Sequence, residues 1–141
     1  MKTHAVRLYG KNDLRLESFD LPEIQEDEIL AKVVSDSLCM SSYKATKQGE
    51  DHKRVPDDVF HNPVIIGHEF SGEIVEVGSK WKDQFKVGSK FSIQPNLNYK
   101  GSLDAPGYSF KYIGGDATYV IIPSQVMEIN CLLAYDGEGY F

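Results

Sequence analysis

The chain has 141 residues, 41% hydrophobic and 26% charged, with a net charge of −6 at pH 7. That size is one domain able to bury roughly two thirds of its unfolded surface, so neither a disulfide nor a metal is needed to hold a core. The acidic balance argues against a nucleic-acid partner, which calls for a basic stripe, and against an anionic membrane. Two distant cysteines (Cys39, Cys131), no apolar signal segment and no bilayer-length apolar run lead to the expectation of a reducing, cytoplasmic setting.

The first half of the chain reads as short strands. "THAVRLY" (3–9) and "DLRLESF" (13–19) alternate apolar and polar residues around a "GKND" turn. A polar connection over 21–28 leads to the valine-rich run "ILAKVVSD" (29–36). "DSLCMSSYKATKQ" (36–48) offers Asp36 or Ser37 as a helix cap and predicts one or two helical turns. Residues 49–63, polar and carrying Pro56 and Pro63, read as a long surface loop. "VIIGHEFSGEIVEVG" (64–78) is strand-like on both sides of its glycines, and 86–94 and 117–124 are further strands. A second long loop, 95–116, is rich in Gly, Pro and Tyr. Many short strands with few helices indicate a mainly β protein, a barrel or sandwich.

One set of residues carries the chemistry of a metal site. Zinc takes Cys, His and carboxylate ligands, and a catalytic site keeps one position open. Cys39, His68 and Glu69 form such a set. Cys39 opens the expected helix, where the dipole favours a thiolate. His68 and Glu69 would point to opposite faces of a regular strand. A turn or bulge at Gly67 or Gly72 could bring both to one site. Ser41, in the first helical turn, is a candidate proton carrier, and Lys44 is a further relay member or an anion contact. Each residue also has a structural reading. A lone Cys is usually core, Glu69 could bond backbone N–H groups or an arginine, and Ser41 could be an ordinary first-turn residue. His4, His52 and His61 have no ligand-like context, Cys131 reads as core, and Tyr99, Tyr108 and Tyr112 either line a cleft or cover the barrel.

Three motifs in order along the chain carry a resemblance to the N-terminal, GroES-like catalytic half of the zinc-dependent medium-chain alcohol dehydrogenase superfamily. They are Gly67-His68-Glu69 with Gly72 and Gly78, the "VSDSLCMSSY" segment, and "GGDATYVIIP". The resemblance implies a GroES-like, partly open β-barrel with short helices over residues 1–141. It implies one catalytic Zn²⁺ with Cys39 and His68 as ligands and Glu69 as a ligand or close partner. It implies Ser41 as the proton-relay hydroxyl, with Lys44 where many members carry a relay histidine. Met40 and Ser42 depart from the usual residues around Ser41, and Trp81 stands where a small or aliphatic residue is usual. Residues 95–115 lack cysteine, so no structural zinc is expected there.

The segment "NYKGSLDAPGYSFKYIGGDATY" is most similar to the branch of polyol dehydrogenases and sugar-phosphate reductases. "YDGEGYF" resembles the stretch just before the family's third protein ligand, and the lone Gly-x-Gly in it is only a weak dinucleotide signal. The expectation is an excised catalytic domain, inactive alone. Its full-length, homo-oligomeric parent would bind NAD(P) in a Rossmann domain and act on an alcohol, polyol or sugar-phosphate carbonyl. The alternative is a non-catalytic GroES-like binding or assembly module.

Overall fold

In the computed structural model, residues 1–37, 40–94, 99–135 and 138–139 are described. β1 (Lys2–Gly10) and β2 (Asp13–Asp20) pair antiparallel across a tight turn in which Asn12 adopts φ +55°. The two-residue β4 (Val64–Ile65) pairs with the other edge of β1, giving a three-stranded sheet in the order β2-β1-β4. The second sheet has five strands in the order β7-β3-β5-β6-β8: β3 (Ile29–Asp36), β5 (Phe70–Val77), β6 (Lys90–Ile93), β7 (Tyr119–Ile122) and β8 (Leu132–Tyr135). All its pairings are antiparallel.

The two sheets are stitched along one line. Ala5 bridges Ala117, the Val6 N–H donates to Asp116 O at 2.8 Å, and the Thr3 hydroxyl donates to Tyr119 O at 2.8 Å. Among the described residues the sheets do not join into a closed ring, so the architecture is the mainly β, partly open barrel of the sequence reading. The five-stranded sheet packs its inner face into the main core, around Ile29, Ile74, Phe91, Val120, Ile122 and Val126. Each such side chain contributes about 1.5–3 kcal/mol through burial.

The helix α1 (Met40–Gln48) follows β3 and docks through Ala45. Asp36 and Ser37 do not serve as its cap. Asp36 ends β3, and the Ser37 hydroxyl donates to the Glu69 carboxylate instead.

Of the two long loops, 49–63 differs from the surface loop expected. Together the loops build a second apolar cluster under α1: Val55 and Val59 from one, Ala105 and Tyr108 from the other, against Leu8, Val64 and Ile66. Among the described residues, one α-helix and one strand were not anticipated. Pro123 ends β7 in extended geometry and leads into the short helix α2 (Ser124–Glu128), and β8 then pairs with β6. Cys131 is buried in the main core, as its sequence context suggested. Among the described residues no helix is long and apolar enough to cross a membrane.

Candidate functional site

The bend between β4 and β5 has a backbone cause. Gly67 has φ +97°, and a Cβ there would lie 2.9 Å from the Asp116 backbone nitrogen. Its carbonyl accepts from the Gly115 N–H at 2.7 Å, which pins the bend against the second long loop. β5 starts only at Phe70, so His68 and Glu69 escape the alternation of a strand. Their side chains meet, with His68 Nε2 3.4 Å from Glu69 Oε1. A bulge at Val34 in β3 also faces this point, where the register slips between Val33 and Ser35 opposite Gly72 and Ser71.

Each of the two side chains is held by its other end. His68 is buried, and its Nδ1 lies 3.3 Å from the Tyr108 hydroxyl. Glu69 is half exposed and accepts through Oε2 from the Ser37 hydroxyl at 2.8 Å. The Ser37 N–H donates to the Glu69 carbonyl at 3.0 Å, joining the end of β3 to the bend.

A carboxyl pair lies alongside. Asp36 shares a hydrogen bond with Asp116. Burial of its carboxyl group, then that hydrogen bond and the Asp116 charge, push the Asp36 carboxyl up to about 8, and the Glu69 charge adds to the rise. The residue as a whole is exposed, yet its carboxyl is pressed on the loop: a Cβ on Gly115 would fall 2.1 Å from Asp36 Oδ1. Sequence reading missed this pair, because nothing local links positions so far apart.

Two cavities flank the bend. The larger, about 570 Å³, has apolar walls that include Val6, Leu14, Met40 and Tyr43, and a more polar edge at Ser37 and Asp116. The smaller, about 200 Å³, is lined by Glu69 and by Ser35, Ser37, Ser71 and Ser92. Ser37 belongs to both.

Of the sequence-predicted site residues, His68 and Glu69 are therefore brought together. Cys39 lies outside the described residues, as do Asp136, Gly137, Tyr140 and Phe141 of the tail. Ser37 and Met40 both line the larger cavity. Ser41 is half-buried and Lys44 exposed on α1; neither lines the two cavities.

Among the described residues no three His, Cys, Asp or Glu side chains are grouped for a metal. The pair that is present nevertheless fits one. Tetrahedral zinc ligands at ~2.0–2.2 Å from the metal stand ~3.3–3.6 Å apart. The imidazole Nε2 and carboxylate oxygen of His68 and Glu69 are 3.4 Å apart, and both are zinc-ligand types.

Comparison with known proteins identifies the family. The profile of the alcohol dehydrogenase GroES-like domain matches residues 25–130. The chain is 58% identical over 99% of its length to L-sorbose 1-phosphate reductase of Klebsiella pneumoniae, covering 34% of that protein. It is 47% identical, again over 99% of its length, to mannitol-1-phosphate 5-dehydrogenase of Aliivibrio fischeri, covering 33% of it. The chain thus spans about a third of the length of the curated relatives it matches. Among solved structures, a protein assigned as a zinc-binding dehydrogenase from Sinorhizobium meliloti, bound to NADP, superimposes with a TM-score of 0.76 at 25% identity, over 96% of this chain and 39% of that one. The barrel, the Gly-His-Glu bend and a family profile that spans most of the sequence agree, and the chain belongs to the alcohol dehydrogenase GroES-like domain family.

Proposed function

We propose that this chain carries the metal-holding, substrate-facing part of a zinc-dependent, NAD(P)-linked oxidoreductase that acts on a polyol or sugar-phosphate carbonyl. The observation that carries the reading is the His68–Glu69 pair, set 3.4 Å apart beside a cavity large enough for a small substrate. The names of the two relatives, a sugar-phosphate reductase and a polyol-phosphate dehydrogenase, support the substrate class. The length of those relatives supports a nicotinamide-binding part elsewhere in the same protein.

Cys39, His68 and Glu69 are the residues that would hold the metal. When bound, zinc supplies Lewis-acid polarisation of a substrate oxygen. Ser41 Oγ would accept the substrate hydroxyl proton in the oxidative direction while its own hydroxyl proton passes to water, and the reverse in the reductive direction. Lys44 lies three residues on along α1, hence on the same face, and its exposed ammonium, which has no lone pair to accept a proton, offers a contact to an anionic substrate group. Val6, Leu14, Met40 and Tyr43 offer an apolar wall to one side of the substrate, while Ser37 and Asp116 offer hydrogen bonds to its hydroxyls.

Zinc titration of the chain tests the site. The His68→Ala variant should bind at least ~10-fold more weakly while keeping the wild-type far-UV circular dichroism. Equal affinity of the two proteins would overturn the assignment and leave a metal-free binding module as the better reading.

A further inference from the structure

A histidine that ligates a metal through one nitrogen needs its other nitrogen held, and that partner sets both ring orientation and affinity. His68 Nε2 faces the Glu69 carboxylate, and Nδ1 faces the Tyr108 hydroxyl at 3.3 Å. We propose that Tyr108, backed by His52, is the positioning residue that holds the His68 ring with Nε2 turned toward Glu69. The inference rests on the proposed metal site and adds a residue to it.

The chemistry of the partner suits the task. A phenol hydroxyl both donates and accepts. It can donate to Nδ1 while Nε2 carries the proton, and it can accept from Nδ1–H once Nε2 is bare for a metal. The same contact therefore serves the empty and the loaded site without moving the ring.

The packing makes Tyr108 a fixed point. It is buried, at 6% exposure, and its ring stands 5.3 Å from the His68 ring. The preceding Gly107 has φ +85°, and a Cβ there would fall 2.5 Å from the Gly67 carbonyl. The turn that carries Tyr108 is thus pressed on the turn that carries His68. His52 stacks on Tyr108, with centroids 5.3 Å apart and planes 9° from parallel. Burial, followed by the charges of Arg54 and Lys53, lowers the pKa of His52 and favours its uncharged ring. His52 is anchored in turn, because its Nδ1 accepts from the Arg54 N–H at 3.1 Å. The Arg54 segment is tied across to the second loop, where Arg54 Nη1 donates to Leu103 O at 2.7 Å and the Ser109 hydroxyl donates to Arg54 O at 2.5 Å. The loop read as surface, and the second loop whose tyrosines were expected to line a cleft or cover the barrel, thus form a brace behind His68.

The test compares the wild-type chain, Tyr108→Phe and His68→Ala. The Phe variant keeps the ring and its packing and removes only the hydroxyl. Three quantities are measured: the ¹⁵N resonance of His68 Nδ1 in the metal-free chain at fixed pH, the affinity for Zn²⁺ alone, and the urea midpoint. Loss of the hydroxyl should move the Nδ1 resonance downfield, toward that of an unbonded acceptor nitrogen, and weaken zinc by ~10-fold, with the midpoint nearly unchanged. A purely packing role would shift the midpoint and leave zinc affinity alone. If the Nδ1 resonance stays put, or if Tyr108→Phe keeps full affinity while His68→Ala loses it, the positioning role is overturned and the metal site stands. If neither variant affects zinc, the metal site itself falls. The wild-type resonance needs no variant: a value typical of an unbonded nitrogen overturns the proposal by itself.

Discussion

Gly67, His68 and Glu69 act as a unit because the first controls where the other two point. A side chain at Gly67 would meet the Asp116 backbone and strain a φ of +97°. Without that bend the histidine and glutamate would alternate, as strand residues do. The Gly-His-Glu signature was legible because its glycine signals a local backbone demand. The Asp36–Asp116 pair was not legible, since each aspartate alone looks like an ordinary polar residue. Its consequence is a pH dependence of known sign. The Asp36 carboxyl titrates at about 8 when folded against an ordinary 3.8. Between those values the folded chain holds a proton that the unfolded chain has released. This contribution to stability is therefore fully present below the lower value and is lost as pH rises toward the upper one. Urea unfolding of the metal-free chain from pH 5 to pH 8 should show this decline, and Asp36→Asn should flatten it. A variant with the same pH slope as wild type would rule out Asp36 as the source.

Among the elements, those with clear periodicity matched expectation. The β1–β2 hairpin, β3 and β5 follow alternation or valine-rich runs, and α1 follows helix-tolerant residues. β8 escaped notice because only Leu132 of its four residues is buried, so it carries no alternation. It is a strand because β6 offers it a free edge, from Lys90↔Tyr135 to Ile93↔Leu132. The five-residue α2 is too short to show a helical period. Trp81 explains itself only in place. It ends a short 3₁₀ turn, is buried in the main core, and donates its indole N–H to the Asp27 carbonyl at 2.9 Å. That bond ties the turn after β5 to the segment before β3. Trp81→Phe should cost about 1–3 kcal/mol, from the carbonyl left without its donor and the volume lost. The shift in urea midpoint measures this, and an unchanged midpoint would show that the turn relaxes freely.

Under the proposed function, the chain builds one wall of a reaction chamber. The larger cavity is open to solvent beside exposed Met40, Tyr43 and Leu14. Under the proposed function, hydride comes from a nicotinamide held by another part of the protein. The chain alone, given zinc, a sugar phosphate and reduced nicotinamide cofactor, should therefore show no steady-state loss of reduced-cofactor absorbance. Turnover under those conditions would place cofactor binding within these residues and refute that division of labour.

Local patterning was enough for the mainly β class, most strands, the helix after β3 and the Gly-His-Glu bend. Those features depend on residues a few positions apart, where backbone direction and side-chain period are dictated by the chain itself. Packing alone decided which groups stand behind the site. Tyr108 meets His68 across 40 positions, and Ser109 reaches Arg54 across 55. Such contacts arise only when two irregular loops close on a shared apolar cluster, and no short-range pattern encodes where two loops will meet.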